Sequence, residues 1–367
     1  MLVPHNYLPF EFKENDKIIN DWKKLIRSSE FTLGTYVDRF ENAFAKFIGT
    51  KYCISTNSGT DALILCLKSL GIKKDDEIIT VSNTFYATAG AIVACGAIPV
   101  FVDCDSRYQI DEKLIEKAIT KKTKVIMPVH WGGSSPNMQA ISKLAKKRKI
   151  HIIEDTCMGI GAKLENKRAG TFGICSAYSM HPLKSLNVMG DGGMITTNNK
   201  TIAHWMYKYR NHGMINRNNI EFWGVNMRLQ PLQAVVALHN LKKINSVIKK
   251  RNLNAKILDI GLCELNPRII LPTRNKNNIE TYALYMILVE KRDQLLKYLN
   301  QNRIEAKIHY PKPLHLQNAS KIFNYKKGDF PISEMQANKL ITIPVHQFLS
   351  KKQIHFTIKK IKDFYKK

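Results

Sequence analysis

The chain has 367 residues, 44% of them hydrophobic, enough for a sizeable core and, by length, for two or three domains. Its formal net charge is +27, from 57 Lys and Arg against 30 Asp and Glu, a surplus that attracts polyanions such as nucleic acid, an anionic membrane or a phosphorylated substrate. The basic residues are dispersed and form no aromatic-interleaved groove, so no specific nucleic-acid partner is expected. Seven cysteines without paired spacing give neither a disulfide framework nor a zinc knuckle. The longest nearly apolar run, around residues 91–102, is too short to span a bilayer, and no membrane partner is expected. The opening MLVPHNYLPFEFKEND has early acidic residues and no apolar signal core, so a cytoplasmic protein is expected.

Strand-length apolar runs alternate with helical patterns through the first two-thirds of the chain. A strand at 51–56 leads to a helix at 59–70, then a strand at 77–82 to a small-residue helix at 85–95. Strands at 99–103, 124–130 and 151–155 follow, separated by helices at 110–120 and 138–148. This rhythm predicts an α/β fold, a mostly parallel sheet with helices on both faces. Ligands of such sheets sit beyond the carboxyl ends of the strands, where Ser58, Asn83, His130 and Asp155 fall. Extended pieces at 176–180 and 194–197 flank an irregular stretch containing Lys184. From about residue 243 the texture changes to a Lys-rich helical stretch, a strand at 282–289 and a helix at 291–301. An extended piece at 306–310 and a terminal helix from Lys351 follow. The expected division is a large domain with an N-terminal arm at 1–245 and a small C-terminal α/β domain at 246–367.

Three places carry candidate chemistry. Ser58, Gly59, Thr60 and Asp61 open a helix directly after a strand; free N–H groups there bind phosphate, and Gly59 permits close approach. The same residues also read as an ordinary helix cap, with Thr60 or Asp61 satisfying the end. Asp155 ends a buried strand and needs a cationic partner, either a protonated pyridine nitrogen or a structural Lys or Arg. Lys184, followed by the glycine-rich turn at 190–193, suits a lysine that bonds a carbonyl cofactor and carries protons, although a lysine in so basic a chain is by default a surface residue.

The order of motifs decides among these readings. FTLG at 31–34, FE at 40–41, NSGTDAL at 57–63, NTFYA at 83–87, GAIPVFVD at 96–103 and PVH at 128–130 occur in series. IED at 153–155, SMHPLK at 179–184, GDGG at 190–193, RNHG at 210–213, GVNMR at 224–228, IHYP at 308–311 and IP at 343–344 complete it. The chain resembles the DegT-type sugar aminotransferases, a branch of the fold-type-I pyridoxal-phosphate enzymes. The resemblance implies pyridoxal 5'-phosphate as cofactor and Lys184 as the lysine that holds it and moves the proton. It implies Asp155 against the pyridine nitrogen, Phe85 on the ring face, and Gly59, Thr60 and Ser179 around the phosphate. Asn226 would reach that phosphate from the second subunit of a homodimer with shared active sites, and His309 and Tyr310 would face the substrate.

The implied reaction moves an amino group from an amino acid such as glutamate to a keto-sugar linked to a nucleotide diphosphate. One position departs from the family: Met158 stands where Gln or His usually approaches the ring oxygen, and a thioether is only a weak acceptor. The loop at 131–136 also differs from the family's spelling, which leaves open a transaminase of a small phosphorylated ketone. A sister group that performs dehydration replaces the lysine with histidine, and Lys184 speaks against it. A non-enzymatic regulator or nucleic-acid binder would explain the charge but not Phe85, Asp155 and Lys184 together.

Overall fold

Seven strands form the large sheet of the computed structural model, which describes residues 1–366. In chain order they are β1 (Tyr52–Thr56), β2 (Glu77–Val81), β3 (Ile98–Val102), β4 (Thr123–Met127), β5 (His151–Asp155), β6 (Cys175–Ser179) and β7 (Gly193–Thr197). They lie side by side in the order β1-β7-β6-β5-β4-β2-β3. All neighbours are parallel except those of β7, which runs antiparallel to both β1 and β6. Alternation along each strand feeds two cores. Ile78, Val125 and Ile153 face a cluster shared with α2 (Gly59–Ser69) and α3 (Tyr86–Ala94). Ile79, Ile126 and Ile152 face the opposite cluster, covered by α4 (Glu112–Ala118) and α5 (Met138–Arg148). Burial on both faces explains why these strands carry consecutive apolar residues at their centres and not a strict apolar–polar alternation.

Two motifs of the series turn out to hold this framework together. Glu41, on α1 (Thr35–Ile48), accepts from the Ser55 backbone N–H at 2.8 Å and its hydroxyl at 2.7 Å, and is ion-paired with buried Arg210. Arg210 also donates to the Ser55 carbonyl, so one buried charge pair ties α1, β1 and the 210–213 turn.

The 32-residue helix α6 (Pro231–Leu262) starts with Pro231 and a reciprocal cap between Gln230 and Gln233. It runs unbroken through residue 245. Its first half packs on the large-sheet side through Ala234, Ala237 and Ile244. Its second half enters a separate core through Ala255, Leu258 and Leu262. That core belongs to an antiparallel sheet of β8 (Ile269–Ile270), β9 (Tyr285–Val289) and β10 (Leu340–Ile343), backed by α7 (Lys351–Lys366). Along β9, Tyr285, Ile287 and Val289 face this core, whereas Met286 and Leu288 pack toward the large sheet. The extended piece expected at 306–310 forms only a single antiparallel bridge, Lys307 to Thr342.

Candidate active site

The carboxyl ends of β1, β2, β5 and β6 and the small sheet enclose a cavity of ≈ 580 Å³. Gly59, Thr60, Phe85, Asp155, Met158, Ser179, Lys184, His309 and Tyr310 all line it. The fold brings together side chains 251 positions apart along the chain, from Gly59 to Tyr310.

At the floor, Ser58 is the residue that caps α2, its hydroxyl accepting from the Asp61 N–H at 3.0 Å. Neither Thr60 nor Asp61 serves as the cap, because Ser58 is the last residue with extended dihedrals before the helix. The N–H groups of Gly59 and Thr60, in the first turn, have no intrahelical acceptor and are free to bind an anion. A Cβ at Gly59 would lie 2.7 Å from Ser179 Cβ and 3.1 Å from Cys157 Sγ. The glycine is therefore required for the helix start to sit against the end of β6. Gly59→Ala is expected to cost about 1–3 kcal/mol of stability through overpacking. It is also expected to weaken retention of a phosphate-bearing ligand, and thermal melts with and without that ligand check both effects. An unchanged melting temperature in both states would contradict the packing account.

The end of β5 carries two acids on opposite faces. Glu154 is fully buried and saturated: it accepts from the N–H groups of Gly170 (2.8 Å), Phe172 (2.7 Å) and Gly173 (2.7 Å), and pairs with His130 Nε2 at 3.0 Å. His130 bonds Ser135 through its other nitrogen at 3.0 Å. His130 is thus a framework residue, despite its place beyond β4. Asp155 faces the cavity instead. It accepts from the Thr88 hydroxyl at 2.7 Å and the Cys157 N–H at 3.1 Å, and among the described residues it has no salt-bridge partner. It is a buried carboxylate with acceptor capacity left and no cation within ion-pair distance.

Lys184 lies in the irregular stretch after β6, its backbone N–H donating to the His181 carbonyl at 2.8 Å. Burial pulls its ammonium pKa below the ordinary lysine value, while the Cys157 and Asp155 side chains oppose that shift more weakly. Neutral amine is the form that attacks a carbonyl or takes a proton, so desolvation makes it available at lower pH. Beside it the Cys157 thiol is pushed well up by burial and stays protonated. Phe85 presents an exposed ring at the cavity wall, packed on Tyr86 with centroids 4.1 Å apart. Met158 packs with the apolar cluster near Tyr310. Its carbonyl accepts from the Thr281 hydroxyl at 2.8 Å.

Across the cavity, His309 Nδ1 meets the Thr342 hydroxyl at 2.8 Å. Burial, with Lys307 and Lys184 nearby, lowers the His309 pKa to about 4. Tyr310 packs against Phe85 and Trp131, and burial raises its phenol pKa. Asn226 is not among the lining residues; it is exposed, in a bridge with Asn211. Sequence reasoning missed His5, Tyr7, Arg251, Lys307 and His346, which also line the cavity. Nothing local marks them, because the N-terminal arm and the far end of α6 reach the site only through tertiary packing.

The profile of the DegT/DnrJ/EryC1/StrS aminotransferase family matches residues 13–362. The chain belongs to that family. Members of the DegT/DnrJ/EryC1/StrS family are pyridoxal-phosphate-dependent sugar aminotransferases, and this chain is an enzyme of that class. It is 35% identical over 335 residues to the UDP-2-acetamido-2-deoxy-3-oxo-D-glucuronate aminotransferase of Pseudomonas aeruginosa, covering 91% of this chain and 92% of that one. It is 34% identical to the pleiotropic regulatory protein of Geobacillus stearothermophilus, over 100% of this chain and 99% of the other. The crystal structure of DesV from S. venezuelae in complex with a ketimine intermediate superposes with a TM-score of 0.97 at 31% identity, covering 100% and 99% of the two chains.

The DegT-family cofactor fits the residues present. Asp155 lacks a cation, the helix start at Gly59 offers free N–H groups in a cradle that a Cβ would fill, and the desolvated Lys184 supplies an amine. Among the described residues no cluster of three or more His, Cys, Asp or Glu could hold a metal ion. Nor is any helix there long and apolar enough to cross a membrane.

Proposed function

We propose that the protein transfers an amino group from glutamate to the ketone of a nucleotide-diphosphate sugar, in the cytoplasm, with Lys184 as the catalytic residue. The observation that carries this reading is the meeting in one cavity of a desolvated lysine and a buried carboxylate with no cation. Pyridoxal 5'-phosphate, when bound, would supply the electron-accepting ring and the carrier for the amino group between the two half-reactions. The N–H groups of Gly59 and Thr60 and the Ser179 hydroxyl would hold its phosphate. Asp155 would keep its ring nitrogen protonated, Phe85 would cover one ring face, and Met158 would border the ring without a strong hydrogen bond.

Lys184 Nζ takes the proton from the amino-bearing carbon of the donor. In the return half it delivers a proton to the sugar carbon that receives nitrogen. His309 and Tyr310 border the substrate end, where an uncharged imidazole can donate to or accept from sugar hydroxyls. A regulatory role alone gives no reason for the desolvated Lys184 amine or the uncompensated Asp155. The relatives' named substrates support a nucleotide-linked acceptor for this chain. The test is a screen of nucleotide-linked keto-sugars and simple keto-phosphates with glutamate as donor, following 2-oxoglutarate release. Turnover of keto-phosphates alone would replace the nucleotide-sugar assignment.

The reading includes a homodimer in which the partner's Asn226 completes each site, consistent with its exposure and its place outside its own cavity. Mixing Lys184→Ala with Asn226→Ala protein is then expected to recover about a quarter of wild-type activity, since half the dimers are mixed and each has one intact site. Recovery no greater than the two parents alone, or a fully active monomer, would contradict shared sites.

A further inference from the structure

We propose that Tyr7, on the N-terminal arm, is a positioning residue for Lys184, and that the arm is a strap holding the lysine loop in register with the cavity. The inference rests on the reading of Lys184 as the catalytic lysine.

The arm is fixed first on the small sheet's side. The Val3 N–H donates to the Arg303 carbonyl at 2.8 Å, and the Glu305 N–H donates to the Val3 carbonyl at 3.0 Å. Val3 is fully buried in the core of that sheet. His346 Nε2 meets the Pro4 carbonyl at 2.9 Å, and the His5 N–H donates to Glu305 Oε2 at 2.8 Å. From there the chain crosses to the large sheet's side. The Tyr7 hydroxyl donates to the main-chain carbonyl of Lys184 at 2.6 Å, a bond spanning 177 positions of sequence. Glu11 is tied back by Gln347 at 2.9 Å.

Tyr7 has little freedom to be elsewhere. Its ring packs against both His346 (centroids 5.6 Å) and Phe348 (6.3 Å), with the Arg251 guanidinium 5.1 Å from its centre. Arg251 is itself buried and anchored by Gln347 at 2.9 Å, and by Ser185 Oγ and the Tyr282 carbonyl at 3.1 Å each. The lysine loop thus has three supports on α6, Arg251 to Ser185, Asn240 to the Asn187 carbonyl (2.9 Å) and Gln233 to the Asp191 carbonyl (2.6 Å), and a fourth on the arm. Of these four, the bond from the arm is the one that acts on the carbonyl of Lys184 itself. Small misplacements of a reacting amine cost rate without changing what binds, because geometry enters the barrier directly.

The hydroxyl can be removed while the ring's packing is kept. In full-length Tyr7→Phe, kcat is expected to fall roughly ten- to a hundredfold with KM for donor and acceptor nearly unchanged. In the same variant without cofactor, amide exchange over residues 182–188 is expected to accelerate about tenfold or more, while β5 and the α6 core stay protected. Competitive amine labelling of that cofactor-free protein is expected to place the Lys184 pKa closer to the ordinary lysine value, as water gains access. Tyr7→Leu, which loses ring and hydroxyl, should show the same split more strongly. Unchanged exchange over 182–188 in Tyr7→Phe overturns the strap, and faster exchange with unchanged kcat overturns the positioning role. Exchange is read without cofactor or substrate, so failure of the aminotransferase reading would leave the strap separately testable.

Discussion

Lys184→Ala is expected to lower kcat by roughly 10³-fold or more, because in the proposed reaction Lys184 is both the cofactor's covalent attachment and the base that moves the proton. The substitution deletes a desolvated amine and leaves the loop's other anchors, Ser185 on Arg251 and the Asn187 carbonyl on Asn240, in place. The fold should therefore survive, and the phosphate contacts at Gly59, Thr60 and Ser179 should retain part of the cofactor. Small primary amines added to the buffer can enter the vacated space and are expected to restore part of the rate. Steady-state turnover with and without such amines, alongside a circular dichroism spectrum, makes the check. A folded Lys184→Ala protein within tenfold of wild type would mean that another group carries the proton.

Asp155→Asn is expected to lower the rate by about 10²–10³-fold, as removal of a single preorganised charge partner does elsewhere. The substitution is nearly isosteric. The side-chain oxygen of Asn can still accept from Thr88 or from the Cys157 N–H, so little stability should be lost. What is lost, on the proposed reading, is the charge partner of the cofactor's pyridine nitrogen, and the cofactor's visible band should shift accordingly. Glu154→Gln makes the informative contrast. Glu154 accepts three backbone N–H bonds and the His130 pairing, so its substitution should show mainly as a lower melting temperature. Near-normal turnover in a well-folded Asp155→Asn protein would reduce Asp155 to a structural acid.

The sheet was legible in the sequence because β2, β4 and β5 are buried on both faces and carry consecutive apolar residues, at 78–79, 125–127 and 152–153, between turn signals. Insertion of β7 between β1 and β6 was not legible, since its partners are set by long-range pairing and not by any local pattern. The helix at 231–262 carries residues of two cores on one continuous element, and composition alone shows only where its texture changes. At the site, Gly59, Phe85, Asp155 and Lys184 could be named because each stands next to a strand end or in an ordered motif. His130 carried the same signal, yet its ring is committed to Glu154 and Ser135. Alternation along a strand decides which of two adjacent acids faces a cavity, and register at the end of β5 is fixed only in the folded sheet. Tyr7 was invisible for the opposite reason: its partner is a main-chain carbonyl, which leaves no trace in residue type.

Borohydride reduction of the cofactor-loaded protein, followed by peptide mapping, tests the central claim most directly. Reduction converts the cofactor–lysine linkage to a stable secondary amine, so the added mass stays on the lysine that held it. The account predicts the label on the peptide containing Lys184, whose amine is desolvated and lines the cavity with Asp155. A label on Lys163 or Lys167, which lie on a two-stranded hairpin outside the cavity lining, would contradict it.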